Sequence, residues 1–135
     1  MINRSSIVFF ILINALLSSQ NSLIRMPRIS PNGQELAFSY QGDIWTYNLD
    51  NQQTKRLTIH EAYESNPVWN NEGDKLAFSS NRKGYNNIFT IKKNGGITKQ
   101  LTYYPTGDTP YDWTSSNNIV FATSRVLKGP EWDEQ

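Results

Sequence analysis

The sequence predicts an all-β protein, a partial β-propeller of about two complete four-stranded blades plus the start of a third. Three observations carry this. Pro27, Gly33, Leu36 and Phe38 recur at an offset of 40 as Pro67, Gly73, Leu76 and Phe78. Pro67, Leu76 and Phe78 then recur at an offset of 43 as Pro110, Ile119 and Phe121. Short strands repeating every 40 to 45 residues mark a propeller blade, roughly the period of one four-stranded unit. Six prolines and eight glycines punctuate a chain dense in Asn and Ser, and no segment beyond the first 24 residues keeps apolar residues at helical spacing for more than a turn.

Taken in order, residues 1–20 read as a secretory signal peptide. Arg4 is the one charged residue before Arg25, and the apolar run Ile7 to Leu17 ends in the small polar stretch Ser18 to Ser22. A basic start, a short apolar core and a small-residue exit are the three parts of such a leader, which predicts cleavage near Gln20 and export to a periplasmic or extracellular space. A lipid-anchored form would need a cysteine, and the chain has none, so no membrane anchor is expected after cleavage.

Residues 21–135 form the propeller segment, with blade 1 at about 25–58, blade 2 at about 64–102 and a partial blade 3 at about 107–135. In blade 1, strand B is expected at Glu35 to Ser39, strand C at Ile44 to Leu49, and strand D ends in Leu57-Thr58. In blade 2, strand A is expected at Asn66 to Trp69, strand B at Lys75 to Ser79, strand C at Ile88 to Lys92 and strand D at Ile97 to Thr102. Gly73 supplies the positive φ of the A-to-B turn, and Asn94-Gly95-Gly96 signals the C-to-D hairpin. Four extra residues in blade 2 all fall between strands B and C, the kind of single-loop insertion that a stacked repeat tolerates. A propeller closes with about 4 to 8 blades, so this chain reads as the N-terminal part of something longer.

Charge and residue inventory exclude several functions. Without Arg4, 12 Lys and Arg face 12 Asp and Glu, leaving no basic footprint for nucleic acid. His60 is the lone histidine, and no Gly-x-Ser-x-Gly turn presents a nucleophile; no catalytic residue is expected in this segment. One histidine, no cysteine and scattered carboxylates make no metal set, and Gly95-Gly96 is followed by neither Lys-Ser nor Lys-Thr, so neither metal nor cofactor is expected. Asp108 and Asp112 read as loop caps. Trp45, Trp69, Trp113, Phe38, Phe78 and Phe121 read as inter-blade core.

Alternation of strands places the D-to-A and B-to-C loops on one rim. That rim gathers Ile59 to Glu64, Asn81 to Tyr85, Tyr103-Tyr104 with Asp108, and Arg125 to Lys128. Arg82, Tyr85, Tyr104 and Arg125 are the candidate substrate-binding residues, tyrosine and arginine being favoured in recognition surfaces. Arg82 and Arg125 each stand four residues after a recurring Phe. Either they clamp their own loops by pairing with carboxylates, or they draw the acidic or C-terminal end of a peptide.

The string Arg25 to Trp45, with its Ile-Ser-Pro-Asn-Gly turn and Phe-Ser-Tyr-Gln-Gly-Asp-Ile-Trp continuation, resembles the opening of tricorn-type peptidases, and Asn66 to Arg82 resembles their second blade. The resemblance runs from about residue 20 to 125, with Asn32 where the family's turn carries Asp. It implies a propeller that gates or binds peptide or protein substrates. Its partners would be the remaining blades and a C-terminal serine peptidase domain absent from this chain. The turn is shared with TolB-like periplasmic protein-binding propellers and with prolyl-oligopeptidase and amidohydrolase relatives, which stand as alternatives.

Overall fold

The computed structural model describes residues 23–126. The leader expected at residues 1–20, Lys128 and the end of the third copy lie outside the described residues. Ten strands and no helix occupy the described segment: β1 (Arg25–Ile29), β2 (Glu35–Tyr40), β3 (Asp43–Asn48), β4 (Thr54–Arg56), β5 (Glu64–Trp69), β6 (Lys75–Ser80), β7 (Asn87–Lys92), β8 (Lys99–Gln100), β9 (Asp108–Trp113) and β10 (Ile119–Thr123). They form two antiparallel four-stranded meanders, β1-β2-β3-β4 and β5-β6-β7-β8, and a two-stranded β9-β10 sheet.

The recurring prolines have a physical reason. Pairing of β1 with β2 slips between Arg25 and Arg28, and that of β5 with β6 slips between Ser65 and Val68. Met26 and Asn66 take positive φ at these bulges, 51° and 53°. Pro27 and Pro67 follow directly, where the broken ladder asks for no N–H. The A-to-B turns also repeat: Gly33 N–H bonds to Ser30 O, Gly73 N–H to Asn70 O and Asn117 N–H to Thr114 O. Asn117 has a φ of 63°, so asparagine takes the left-handed position that glycine fills in the first two copies.

Two departures from the sequence reading concern strand D and one tryptophan. Strand D of the second sheet shrinks to Lys99–Gln100, and Ile97 is fully exposed. Its end is held instead by Leu101 N–H bonding to Ile88 O, and by the Thr102 hydroxyl accepting from Ile88 N–H. Leu57 and Thr58 do the same to Ile44, so the repeated Leu-Thr pair closes a blade by a side-chain oxygen rather than by more ladder. Trp45 lies outside both buried inter-sheet clusters among the described residues. It lies on β3 opposite Phe38, half-buried, edge-on to Tyr40 and beneath Arg56, the position that Phe89 holds opposite Phe78 on β7.

Strand alternation divides the core into two layers between successive sheets. Ala37, Ile44 and Leu57 meet Trp69, Leu76, Phe78, Phe89 and Ile91 in the first, and Val68, Ala77 and Ile88 meet Trp113 in the second. Polar stitches recur across both layers. Trp69 Nε1–H donates to Arg28 O and Trp113 Nε1–H to Val68 O; Ser39 Oγ donates to Glu64 O and Ser79 Oγ to Asp108 O. The third sheet is therefore set on the second as the second is on the first.

Candidate functional site

The rim formed by the β2–β3, β4–β5, β6–β7 and β8–β9 connections and the segment after β10 carries all four candidate residues. Its skeleton is a set of arginine clamps. Arg82, after β6, pairs through Nε and Nη2 with Glu64 at the head of β5, donates from Nη1 to Thr98 Oγ1 at 2.6 Å, and lies 5.0 Å from the Phe89 ring centroid and 5.8 Å from that of Phe78. Arg125, after β10, pairs with Asp108 at the head of β9 at 2.7 Å and lies 4.8 Å from the Tyr104 ring and 5.6 Å from Phe121. Both acids are fully buried, so the guanidiniums supply the charge that makes burial tolerable.

The first sheet has no such arginine after β2 and uses a different pair. Arg56 on β4 binds Asp43 at the head of β3 at 2.5 Å. In the second sheet the equivalent positions hold Gln100 and Asn87, joined by a neutral amide hydrogen bond of 3.3 Å. Each sheet thus ties its loop end together with an ion pair, from β4 to β3 in the first and from the residues after β6 and β10 to the heads of β5 and β9 in the other two.

Sequence reasoning missed the role of Glu64 and gave Asp108 to loop capping. Their signal lay in spacing: acid and arginine both recur, Glu64 with Asp108 at an offset of 44 and Arg82 with Arg125 at 43. Burial acts to raise the Asp108 carboxyl, but the neighbouring Thr123 and Thr102 hydroxyls and the hydrogen bond and charge of Arg125 outweigh it and hold it below its ordinary 3.8. A folded value below the unfolded one stabilises at pH above the unfolded value, and that stabilisation disappears as pH falls through the folded value. The stability difference between wild type and Asp108→Asn is therefore expected to be constant above about pH 5 and to shrink steadily below about 4, as read from urea unfolding across pH.

Between the clamps lie two depressions. One, of about 420 Å³, is walled by Tyr85, Tyr103, Tyr104 and Pro105 with Lys83 at its margin, so the structure brings Tyr85 and Tyr104 together. Tyr103 O–H is tied to Gln100 O, and the Tyr104 carbonyl accepts from Asn87 Nδ2–H. The other, of about 520 Å³, lies one blade earlier and is lined by Arg25, Gln41, Gly42, His60, Glu61 and Tyr63 among others. His60 Nδ1 accepts from Ala62 N–H, which commits the lone histidine to the turn of its own loop. Both depressions combine hydrogen-bond donors, aromatic rings and fixed backbone.

The family model for the tricorn protease N-terminal beta propeller domain matches residues 17–134. The chain belongs to this family. Among curated relatives of this tricorn-type propeller, the Tol-Pal system protein TolB of Helicobacter hepaticus is 29% identical over 101 residues, which is 72% of the chain and 24% of the relative. Tricorn protease homolog 1 of Streptomyces coelicolor is 26% identical over 98 residues, 72% of the chain and 9% of the relative. The crystal structure of the tricorn protease shares the fold at a TM-score of 0.64 and 19% identity, over 74% of this chain and 11% of that one. The tricorn-type propeller thus spans a quarter or less of these proteins' lengths. No helix among its described residues is long and apolar enough to cross a membrane.

Proposed function

We propose that this chain is the exported N-terminal propeller of a tricorn-like serine peptidase, and that its clamped rim gathers peptides for a catalytic domain outside the chain. The match of the tricorn propeller family to residues 17–134 is the observation that carries this reading. Export rests on the leader composition of residues 1–20. Tyr85 and Tyr104 are assigned direct contact, because exposed tyrosines offer large, rigid, amphipathic area. Arg82 and Arg125, already engaged by carboxylates, are assigned to holding the loops that present those rings.

The test uses the intact protein. Tyr85→Ala with Tyr104→Ala is expected to raise KM severalfold for peptides of ten or more residues while leaving kcat/KM for a tripeptide ester unchanged. Equal loss on both substrates would reject a rim role. A protein that cleaves neither would favour a second reading, supported by the 29% identity to TolB: a propeller whose same rim seats a protein partner and hydrolyses nothing.

A further inference from the structure

The depression of about 420 Å³ is walled by three exposed tyrosines, Tyr85, Tyr103 and Tyr104, with Pro105 beside them. Their setting is rigid. Tyr103 O–H donates to Gln100 O at 3.0 Å, and the Tyr104 ring is backed by the Arg125 guanidinium, 4.8 Å from its centroid. The loop that carries Tyr85 is fastened on both sides of it, by Gly84 N–H to Asn81 O and by Asp108 N–H to Asn86 O. A surface fixed before a ligand arrives loses little freedom on binding it.

The amides beneath the rings are already engaged. Gln100 Nε2 donates to Asn87 Oδ1 at 3.3 Å and to Thr102 O at 2.8 Å, and Asn87 Nδ2–H donates to Tyr104 O at 3.0 Å. A ligand therefore meets ring surface, with the Tyr85 and Tyr104 hydroxyls and the exposed Lys83 ammonium as donors that no group among the described residues takes up. This combination selects among ligands. An extended β-strand brings N–H groups that need acceptors, and a sugar brings hydroxyls that need donors and acceptors alike. A cation would stack on the rings, but Lys83 repels it. A polyproline II segment asks for less: its prolines carry no N–H, its carbonyls accept, and its pyrrolidine rings pack on aromatic faces.

We propose that the depression walled by Tyr85, Tyr103 and Tyr104 is a docking groove for a proline-rich peptide segment in the polyproline II conformation. The tyrosine rings pack on its prolines, the Tyr85 and Tyr104 hydroxyls donate to its carbonyls, and Lys83 faces an acidic residue beside them. Polyproline II has three residues per turn, so the prolines that share a face are those of a Pro-x-x-Pro spacing. This rests on the rim reading above and names its substrate class.

Fluorescence anisotropy on the intact protein tests this with three labelled nonapeptides, each checked by mass for integrity: one with a Pro-x-x-Pro core, one with both prolines replaced by alanine, and one that adds a glutamate beside the prolines. Wild type is expected to bind the Pro-x-x-Pro peptide about fivefold or more tighter than the alanine control. Tyr103→Ala should erase that preference, and Tyr103→Phe, which keeps the ring and loses only its tie to Gln100, should retain most of it. Lys83→Ala should cancel the added affinity of the glutamate peptide, roughly two- to threefold for an exposed pair, and leave the other two unchanged. Tyr111→Ala, which removes an exposed tyrosine of β9 outside the depression, should change nothing. If wild type binds the proline and alanine peptides equally and Tyr103→Ala weakens both alike, the proline preference falls while the rim reading survives. If wild type binds none of the three peptides, both fall, and they fall equally if it binds N-acetylglucosamine oligosaccharides in their place.

Discussion

Arg82→Ala is expected to destabilise the propeller by about 3–5 kcal/mol, the range for breaking a buried ion pair by removing one partner. The size follows from what stays behind. Glu64 is inaccessible to solvent, and without the guanidinium its charge keeps only the Ser80 hydroxyl, at 3.3 Å. The variant also strips the cation from the rings of Phe78 and Phe89, a further contribution of about 0.5–2 kcal/mol where the pair is desolvated. Arg56→Ala makes the internal comparison. That guanidinium is 42% exposed, and Asp43 keeps the Thr58 hydroxyl and the His60 N–H, so about 1 kcal/mol is expected.

Denaturant unfolding of the intact protein reads both values, and peptide kinetics separate the clamp from a recognition role. Lower stability with unchanged kcat/KM for acidic and neutral peptides is the outcome expected of a clamp. Unchanged stability with selective loss of acidic substrates would mean that Arg82 meets the peptide directly and that its pairing with Glu64 opens on binding.

How much of this was legible before the structure depends on the kind of signal. Strands B and C were readable to within a residue, because alternation and flanking turn residues specify them locally: β6 begins at Lys75 as expected and β2 runs one residue past Ser39. Strand D was overread. Ile97 and Leu101 look like ladder residues, but a Thr hydroxyl can replace a main-chain acceptor, and sequence does not distinguish the two. Trp45 stands 44 residues before Phe89, a residue of the core between the first two sheets, so its repeat position is an inter-sheet one although its ring is only half-buried among the described residues. Glu64 and Asp108 were hidden because a repeat gives positions and not partners.

Residues 21–135 produced alone are expected to self-associate instead of behaving as a stable monomer. Equivalent positions in successive sheets show why. Ala77 is fully buried under Trp113's sheet, whereas its counterpart Val120 is 50% exposed. Phe78 is fully buried against Phe89 of β7, whereas Phe121, with no such neighbour among the described residues, is 36% exposed. Ile29 is likewise exposed where Trp69 is buried. Full burial of such side chains contributes about 1.5–3 kcal/mol each, and three partly lost contributions are a large share of a domain's net 5–15 kcal/mol. The far edge of β10 pairs with nothing among the described residues, and an open edge beside apolar Val120 and Phe121 is a template for another chain. Sedimentation velocity should show mass rising with concentration, and Val120→Lys should suppress the rise by placing a charge on the uncovered face. A concentration-independent monomer that unfolds cooperatively with ordinary mesophile stability would mean that these faces are covered within the segment itself, and that the blades close on one another without further partners.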